Sequence, residues 1–438
     1  MNKNTFAPLP PMGWNSYDYY DTTVCEEDVR RNAEYMAEHM KKFGWEYIVI
    51  DIEWFAPNAG TRRDRYQYIP FDTLSMDEYG RLTPAENRFP SAAGGKGFKP
   101  LSDYIHSLGL KFGIHIMRGI PREAVHKHLP VYNTDTIASE IADPSSICRW
   151  NPDMYGVDAS REGAQEYYDS IFELYAAWGV DYVKVDDICN TNMWPHAPYS
   201  GKKEIEMIAS AIQKCGRPIV LSLSPGPALI DQAWHLKTYA NMWRITDDFW
   251  DEWYLLEDMF KRCELWESHV GEGCWPDCDM LPMGVLGHGF GNEWMSRFTE
   301  DESRTMLSLW CIFRSPLMLG TEMPRMDDAL LKMLTNEGIL RMQQHGHGAH
   351  QLFRDEKGAA WISYDEDGRK YLALFNFCEE AGDVTAPLPE DFRTPLTRAE
   401  ELWTGEDVTT SYNRQAGSGS FTDKVSRHGS RVYRLTAE

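Results

Sequence analysis

The sequence predicts an α/β fold: a (β/α)8 (TIM) barrel over residues 1–343, followed by a small antiparallel β domain over residues 344–438. Three observations predict it. A unit made of an amphipathic helix, a glycine and a nearly continuous apolar strand recurs in the first part, which is typical of parallel sheets. Polar residues collect where these strands end, as at the active face of a closed barrel. After about Gln343, strands alternate with turns in a different pattern.

The repeated unit is clearest in its first copy. Thr23 and Glu26 have the spacing of a capping box at a helix start, and an apolar stripe follows at helical spacing. Gly44 ends this helix, because glycine adopts the left-handed conformation that commonly follows a helix. The strand then covers 47–54. Seven further segments bring the count to eight strands: 11–17, 111–116, 182–187, 218–224, 241–246, 274–281 and 316–321.

Eight such strands indicate a closed barrel. An open doubly wound sheet is the alternative, but no Gly-x-Gly-x-x-Gly pattern follows a strand. In the second domain, segments 359–364 and 370–377 predict a β-hairpin around the turn 365–368. We interpret three histidines at the junction as part of an exposed linker rather than as a metal site: His345, His347 and His350.

Composition excludes several classes of function. The formal net charge is −23, from 44 basic and 67 acidic side chains, whereas binding to nucleic acids or anionic membranes needs clustered Lys and Arg. No apolar run reaches membrane-spanning length, and the N-terminus carries no hydrophobic signal segment. Nine cysteines, mostly within apolar stretches, predict free thiols and a cytoplasmic protein. No second pair at zinc spacing accompanies Cys274 and Cys278, so we expect neither a metal nor another cofactor.

Strand parity predicts which polar side chains converge at the barrel mouth, because side chains alternate between the two faces of a strand. In the fourth strand Lys184 and Asp186 share a face, and in the sixth Arg244 shares a face with Asp248. The other strands contribute further residues to the same mouth: Asp51, Glu53, His115, Ser222, Ser224, Trp275, Asp277 and Asp279. We interpret Asp277 and Asp279 as structural residues that bind loop backbone.

Two carboxyl groups, one of them beside a cation, suit glycoside hydrolysis. Lys184 favours the ionised form of Asp186, which can then act as a nucleophile, while Asp248 supplies the proton to the leaving group. In a retaining enzyme the two carboxyl groups lie roughly 5–5.5 Å apart. Three alternatives stay open: a purely structural ion pair at Lys184, an aldolase in which Lys184 forms a Schiff base, and an inactive barrel that only binds sugar.

The chain resembles glycoside hydrolase family 27, of the α-galactosidase superfamily, in five motifs that occur in order. These are Pro-Pro-Met-Gly-Trp-Asn-Ser at 10–16, Ile-Asp and Trp within 50–54, Tyr-Val-Lys-Val-Asp at 182–186, Trp-Arg followed by Asp within 243–248, and Trp-Pro-Asp-Cys-Asp-Met-Leu at 275–281. The resemblance runs from about residue 9 through the C-terminal domain. It implies a (β/α)8 barrel followed by an antiparallel β-sandwich, a retaining mechanism without metal, and a small-molecule carbohydrate as the partner.

Matched position by position, the resemblance implies that Asp186 is the nucleophile and Asp248 the acid/base. It also implies the residues that contact the hydroxyls or the ring of the sugar: Tyr17, Asp51, His115, Lys184 and Arg244. The resemblance makes terminal α-linked galactose the leading substrate, followed by α-N-acetylgalactosamine. β-L-arabinopyranose, which is galactose without its hydroxymethyl group, is third.

Three departures from the family pattern bear on specificity and location. The family usually has Asp-Asp-Cys-Trp where this chain has Asp-Ile-Glu-Trp at 51–54, and parity predicts that Glu53 replaces a contact that Ile52 cannot make. Ser224 stands where galactose-specific members have a glutamate near the 2-hydroxyl, and a serine there leaves room for a larger 2-substituent. Two apolar residues occupy the positions of a disulfide found in secreted relatives, which agrees with a cytoplasmic location: Ile188 and Leu223.

Overall fold

Eight parallel strands form the main sheet. Their bounds are Met12–Asn15 (β1), Tyr47–Ile50 (β2), Lys111–Met117 (β3), Tyr182–Asp186 (β4), Val220–Leu223 (β5), Met242–Arg244 (β6), Trp275–Asp277 (β7) and Leu317–Leu319 (β8). The hydrogen-bonded order is β7, β6, β5, β4, β3, β2, β1, β8. Just beyond β7, the Leu281 N–H donates to the Met318 carbonyl at 2.8 Å, and the Gly320 N–H donates to the Leu281 carbonyl at 3.2 Å. The two edges of the sheet therefore meet, which confirms the predicted (β/α)8 barrel.

The structure, a computed structural model, describes residues 1–191 and 196–437, so the last residue of the predicted second domain lies outside it. Thirteen helices occur in the described part. Their bounds are Tyr17–Tyr20 (α1), Glu26–His39 (α2), Lys99–Ser107 (α3), Arg122–His126 (α4), Ala138–Ile141 (α5), Ala164–Trp178 (α6), Lys202–Cys215 (α7), Ala233–Tyr239 (α8), Trp253–Trp266 (α9), Glu300–Phe313 (α10), Asp328–Leu334 (α11), Glu337–His345 (α12) and Thr409–Ala416 (α13). None of these helices has both the length and the apolar character needed to cross a bilayer.

The register of the strands brings polar side chains of neighbouring strands to one level. His115 on β3 is paired with Lys184 on β4, which is paired with Ser222 on β5. Val183 and Val185, which alternate with Lys184 along β4, are fully buried. The alternation predicted for this strand is therefore present, with apolar side chains on one face and polar side chains on the other.

Most of the barrel strands end earlier than the sequence predicts, although β3 extends one residue further, to Met117. β2 ends at Ile50 rather than at residue 54, and turns occupy 52–55. Glu53 has a φ of +65° and Asp187, directly after β4, has a φ of +53°. Because a positive φ interrupts the extended backbone, the parity of β2 does not extend to Glu53.

The chain divides into two compact units. The first contains Met1–Asp248, Glu272–Met295 and Met318–Met326, and the second contains Phe249–Gly271, Ser296–Leu317 and Asp327–Glu438. Every predicted site residue lies in the first unit. The boundary predicted between residues 343 and 344 stays a prediction.

Within the second unit, seven antiparallel strands form two sheets. Their bounds are Gly346–Arg354 (β9), Gly358–Asp365 (β10), Lys370–Asn376 (β11), Gly382–Pro387 (β12), Arg398–Glu401 (β13), Ser420–Val425 (β14) and Ser430–Thr436 (β15). One sheet has the order β9, β10, β11, β15, β13, and the other pairs β12 with β14. The predicted hairpin is confirmed as β10 and β11, and Leu372, Phe392 and Phe421 belong to the core of the unit.

The interpretation of the three histidines as a linker was wrong. His345 ends α12, and His347 and His350 lie within β9. β9 pairs with β10 along its length, with a register shift between His347 and His350. Gly348, at φ +63°, accommodates this irregularity, because glycine adopts positive φ without a steric penalty. A histidine-rich and glycine-rich segment therefore forms regular structure here through its backbone hydrogen bonds.

Candidate active site

Lys184 stands at the centre of the barrel mouth. Its Nζ donates to Asp51 Oδ2 at 3.0 Å and lies 5.8 Å from the centroid of the Tyr17 ring. Burial by itself lowers the pKa of Lys184, but the charges of Asp51 and Asp186 outweigh burial and raise it well above its ordinary value. The side chain therefore stays an ammonium ion. A Schiff base needs an uncharged amine, so this environment disfavours the aldolase alternative.

Asp186, the last residue of β4, is held in its ionised form. The Nε2 of His115 donates to Asp186 Oδ2 at 3.1 Å, and the Asp187 N–H donates to Oδ1 at 2.9 Å. Burial alone raises the pKa of Asp186, but the hydrogen bond from His115 and the charges of His115 and Lys184 together lower it far below its usual value. This carboxylate is thus charged and available for attack at any ordinary pH.

Asp51 directly follows β2 and receives three hydrogen bonds. Besides Lys184, the donors are Asn15 Nδ2 to Oδ2 at 2.6 Å and the Ile52 N–H to Oδ1 at 2.9 Å. Its side chain is almost fully buried, and burial raises the pKa, but Lys184, His115 and these hydrogen bonds lower it overall. Asp51 is therefore a buried carboxylate paired with Lys184, whose charge also acts on the partly buried Asp186.

Arg244, at the end of β6, contacts two carboxyl groups of the mouth. One of its Nη atoms donates to Asp248 Oδ1 at 3.1 Å and forms an ion pair with Asp279 Oδ2 at 2.8 Å. The Asp248 side chain is 57% exposed, whereas that of Asp279 is 9% exposed. Burial and the charge of Asp248, opposed by Arg244, raise the pKa of Asp279 to about 6. Asp277 accepts the N–H of Asp279 at 2.9 Å, which fits its expected role in holding the loop after β7.

The remaining predicted site residues lie in different surroundings. Tyr17, at the start of α1, has its hydroxyl 3.3 Å from that of Tyr68 and accepts a hydrogen bond from Gln67 at 3.0 Å. Ser224 is buried just past β5, where its carbonyl accepts the Ile188 N–H at 3.0 Å. Its hydroxyl has no hydrogen-bond partner among the described residues.

Glu53 does not join the residues around Lys184. Its Oε1 is 3.5 Å from Asn151 Nδ2, and Asp153 is the neighbouring charge with the largest effect on its pKa. Burial, followed by the charge of Asp153, raises the pKa of Glu53 to about 8. Parity predicted that Glu53 points towards the sugar, but the positive φ at this residue ends the strand parity, and the side chain accepts its hydrogen bond from Asn151.

The sequence-based reasoning missed Asp18. This residue is buried in α1, and Asp279, Lys184, Asp248 and Asp51 all act on its charge. Burial, followed by the charge of Asp279, raises its pKa well above the ordinary value, and its Oδ2 has no partner among the described residues. Strand parity could not locate Asp18, because a helix begins at Tyr17. Its position directly after a predicted site residue was the available signal.

The described residues hold no group of three His, Cys, Asp or Glu side chains arranged to bind a metal ion. All nine cysteines are free. Ile188 and Leu223, the positions of the disulfide in secreted relatives, are both fully buried. The chemical groups that the mouth offers are therefore carboxyls, one ammonium, one guanidinium, one imidazole and aromatic rings, a set that suits a sugar with several hydroxyl groups.

Comparisons with known proteins agree with this geometry. A family model described as alpha galactosidase A matches residues 155–345, and one described as the alpha galactosidase C-terminal beta sandwich domain matches residues 355–435. A curated relative, alpha-galactosidase 3 of Arabidopsis thaliana, is 27% identical and covers 99% of this chain, which covers 83% of the relative.

Two solved structures are more similar. A family 27 β-L-arabinopyranosidase from Geobacillus stearothermophilus is 51% identical, with a TM-score of 0.93 over 100% of this chain and 98% of that chain. A protein described as a putative α-N-acetylgalactosaminidase from Bacillus halodurans is 49% identical, with a TM-score of 0.85 over 98% and 97% of the two chains. Similarity of this extent covers the barrel and the C-terminal domain together. The chain therefore belongs to glycoside hydrolase family 27 and is a glycosidase.

Proposed function

We propose that this glycosidase releases terminal β-L-arabinopyranose from oligosaccharides or glycoconjugates, with retention of configuration. The observation that carries the proposal is Ile52, a buried apolar residue directly after Asp51. The family pattern has a second aspartate at this position. Glu53, the candidate replacement for that aspartate, accepts a hydrogen bond from Asn151 instead.

The chemistry of the sugar explains why Ile52 matters. L-arabinopyranose presents the ring hydroxyls of galactose but lacks the hydroxymethyl group. A hydroxymethyl group next to Ile52 finds no carboxylate there, and a buried hydroxyl without a partner costs about 1–3 kcal/mol. Asp51 and Lys184 remain available for the ring hydroxyls that both sugars share. The 51% identity to a β-L-arabinopyranosidase supports the same substrate.

In the proposed mechanism, Asp186 attacks the anomeric carbon while Asp248 protonates the leaving oxygen. The ionised state of Asp186 suits a nucleophile, and the exposed side chain of Asp248 suits a group that exchanges protons with leaving alcohol and incoming water. Water, deprotonated by Asp248, then releases the sugar from Asp186. Asp51, Lys184 and Arg244 hold sugar hydroxyls during both steps, beside Tyr17 and His115.

Other observations favour two related substrates, α-galactosides and α-N-acetylgalactosaminides. Curated α-galactosidases cover nearly the whole of this chain at 24–27% identity. Ser224, with its unpartnered hydroxyl, favours a sugar with an acetamido group at carbon 2, as does the 49% identity to the Bacillus halodurans protein. α-Galactosidase and α-N-acetylgalactosaminidase activities are therefore the second and third candidates.

A panel of 4-nitrophenyl glycosides distinguishes the three sugars. We expect kcat/KM for the β-L-arabinopyranoside to exceed that for the α-D-galactopyranoside by about tenfold or more, the ratio that about 1.4 kcal/mol produces. Ile52→Asp should shift this ratio towards galactose, whereas Ile52→Val, which stays apolar, should not. Equal or faster hydrolysis of the α-galactoside or the α-N-acetylgalactosaminide by the unaltered protein contradicts the proposed sugar.

The stereochemistry of the first-formed product tests the mechanism separately. Proton NMR of a fresh reaction should show the released sugar with the anomeric configuration of the substrate, before mutarotation mixes the two anomers. Release of the opposite anomer would show a single displacement and exclude Asp186 as a covalent nucleophile.

A further inference from the structure

A cavity beside the barrel mouth has no role in the mechanism above. It encloses about 330 Å³, which lies within the roughly 300–1,000 Å³ typical of small-molecule sites, and its lining includes Phe71, Asp72, Arg122, His126 and Asp153. We propose that this cavity is a subsite for a further, uncharged sugar of the substrate, on the leaving-group side of the scissile bond. The inference rests on the proposed function only in requiring that Asp186 cleaves a terminal sugar.

Aromatic side chains lead from the mouth towards the loop that carries Phe71. The Tyr17 hydroxyl lies 3.3 Å from that of Tyr68, and the Tyr68 ring lies 5.4 Å from that of Trp150. Because Tyr17 is a predicted site residue, this contact places Tyr68 at the border of the mouth. Phe71 follows Tyr68 by three residues, so the Cα atoms of the two residues lie at most about 10 Å apart. The cavity therefore lies on the loop that also carries Tyr68, within the length of a short oligosaccharide from the mouth.

Phe71 has the features of a sugar platform. Its side chain is 72% exposed, and its φ is +57°. A left-handed conformation costs a non-glycine residue roughly 1–2 kcal/mol, and an exposed ring gains no burial energy to offset that cost. The Arg122 guanidinium lies 4.8 Å from the Phe71 centroid and 4.9 Å from that of Tyr155, which holds the loop in place. Flat aromatic faces suit the apolar face of a pyranose.

Arg122 and Asp153 supply the polar half of the subsite. Asp153 is 7% exposed, and the Nε of Arg122 has no hydrogen-bond partner among the described residues. A guanidinium donates to hydroxyl oxygens and a carboxylate accepts from hydroxyls, so the pair can bind adjacent sugar hydroxyls.

The charges that line the cavity decide the class of sugar. Arg122 and Lys127 are opposed by the acids Asp72, Glu123 and Asp153, and Lys127 is already paired with Glu123 at 2.5 Å. The cavity therefore has no excess of positive charge to attract a uronate or a phosphate. Together with the exposed ring, this composition fits a neutral pyranose or pentose unit.

The test compares two substrates in one enzyme. One is 4-nitrophenyl β-L-arabinopyranoside, and the other is an uncharged oligosaccharide of three sugars ending in β-L-arabinopyranose. In Phe71→Gly, which removes the ring and relieves the positive φ, the ratio of kcat/KM for the oligosaccharide to that for the aryl glycoside should fall about tenfold. Asp153→Asn should lower the same ratio, mainly through KM.

Trp234→Ala is the matched control, because Trp234 is 60% exposed on α8 and does not line the cavity. In this variant, the ratio of kcat/KM for the oligosaccharide to that for the aryl glycoside should equal the ratio in the unaltered protein. An unchanged ratio in both Phe71→Gly and Asp153→Asn overturns the subsite. If the unaltered protein prefers a different aryl glycoside, the proposed sugar is wrong, and the same ratio measured with that sugar in both substrates still decides the subsite.

Discussion

Two clusters of buried carboxyl groups follow strands of the same barrel and differ in charge. Asp51 and Asp186, which we call the Lys184 cluster, have pKa values below the ordinary range. Glu53 and Asp153, the Glu53 cluster, have pKa values raised to about 8 and about 6. All four side chains are largely buried. Only one residue, Ile52, separates Asp51 from Glu53 along the chain.

The number of hydrogen-bond donors to each carboxylate explains the difference in pKa between the two clusters. Asp51 accepts from Lys184, Asn15 and a backbone N–H, whereas Glu53 has one distant donor, Asn151 at 3.5 Å. Arg88 lies near Glu53 but donates to backbone carbonyls, including that of Glu53 itself at 2.6 Å. Burial raises the pKa of every carboxyl group, and donors to the charged form reverse the shift. Arg88 therefore lowers the pKa of Glu53 only through its charge, which does not offset the effect of burial.

The largest effect is expected from Asp186→Asn, which removes the charged carboxylate of the Lys184 cluster. We expect kcat to fall by about 10⁴-fold or more, since loss of a covalent nucleophile removes the reaction path itself. Steady-state kinetics on the preferred aryl glycoside measure this change. Asp187→Asn is the comparison: Asp187 pairs with Arg118 at 2.9 Å, so its loss should lower stability more than turnover. Equal losses of kcat in the two variants would contradict the assignment of Asp186.

Removal of the shared cation should destabilise the protein. In Lys184→Met, the buried carboxylate of Asp51 loses its ion pair, and we expect the free energy of unfolding to fall by about 3–5 kcal/mol at pH 7. Lys214→Met is the control, because Lys214 is 60% exposed in its ion pair with Asp169 and such pairs contribute about 0–1 kcal/mol. Urea unfolding measures both. Equal losses of unfolding free energy in the two variants would mean that the ion pair of Lys184 stabilises the protein no more than an exposed ion pair does.

Glu53→Gln should stabilise the protein, but only at higher pH. The pKa of Glu53 is raised from near 4.5 to about 8, so the folded protein binds a proton that the unfolded chain releases between these values. Stability is therefore lost as pH rises from about 4.5 to about 8. We expect the variant to match the unaltered protein near pH 4 and to exceed it by about 4 kcal/mol at pH 8, because each pH unit between the two pKa values corresponds to about 1.4 kcal/mol. A difference independent of pH contradicts the raised pKa.

The smallest effect is expected from His115→Gln. The hydrogen bond and the charge of His115 lower the pKa of Asp186, so their loss should raise that pKa towards the ordinary value of an aspartate, about 3.9, and move the acidic limb of kcat/KM upward with it. The pH dependence of kcat/KM between about pH 3 and 7 measures the change, because the limb of the unaltered protein should lie below this range. His39→Gln, on the partly exposed end of α2, should leave the limb unchanged. An unmoved limb in His115→Gln assigns it to a group other than Asp186.

The order of the barrel strands and the alternation within β4 follow from the sequence alone. Helical and extended periodicities are local properties of the chain, and they persist wherever the backbone stays regular. This is why Lys184 was placed with Asp186, and why the hairpin of β10 and β11 was found. The same reasoning stopped at strand ends, where Glu53 and Asp187 have positive φ values.

The tertiary structure alone decided which groups meet and what charge they carry. His115 and Asp186 are 71 positions apart in the chain, and Lys184 and Asp51 are 133 apart, yet each pair is in hydrogen-bond contact. Burial and donor number both depend on such distant contacts, so no local pattern determines a pKa. The sequence by itself determined the barrel, its order and the face on which Lys184 lies. Which carboxyl groups are charged was decided by the packing of segments that the sequence keeps far apart.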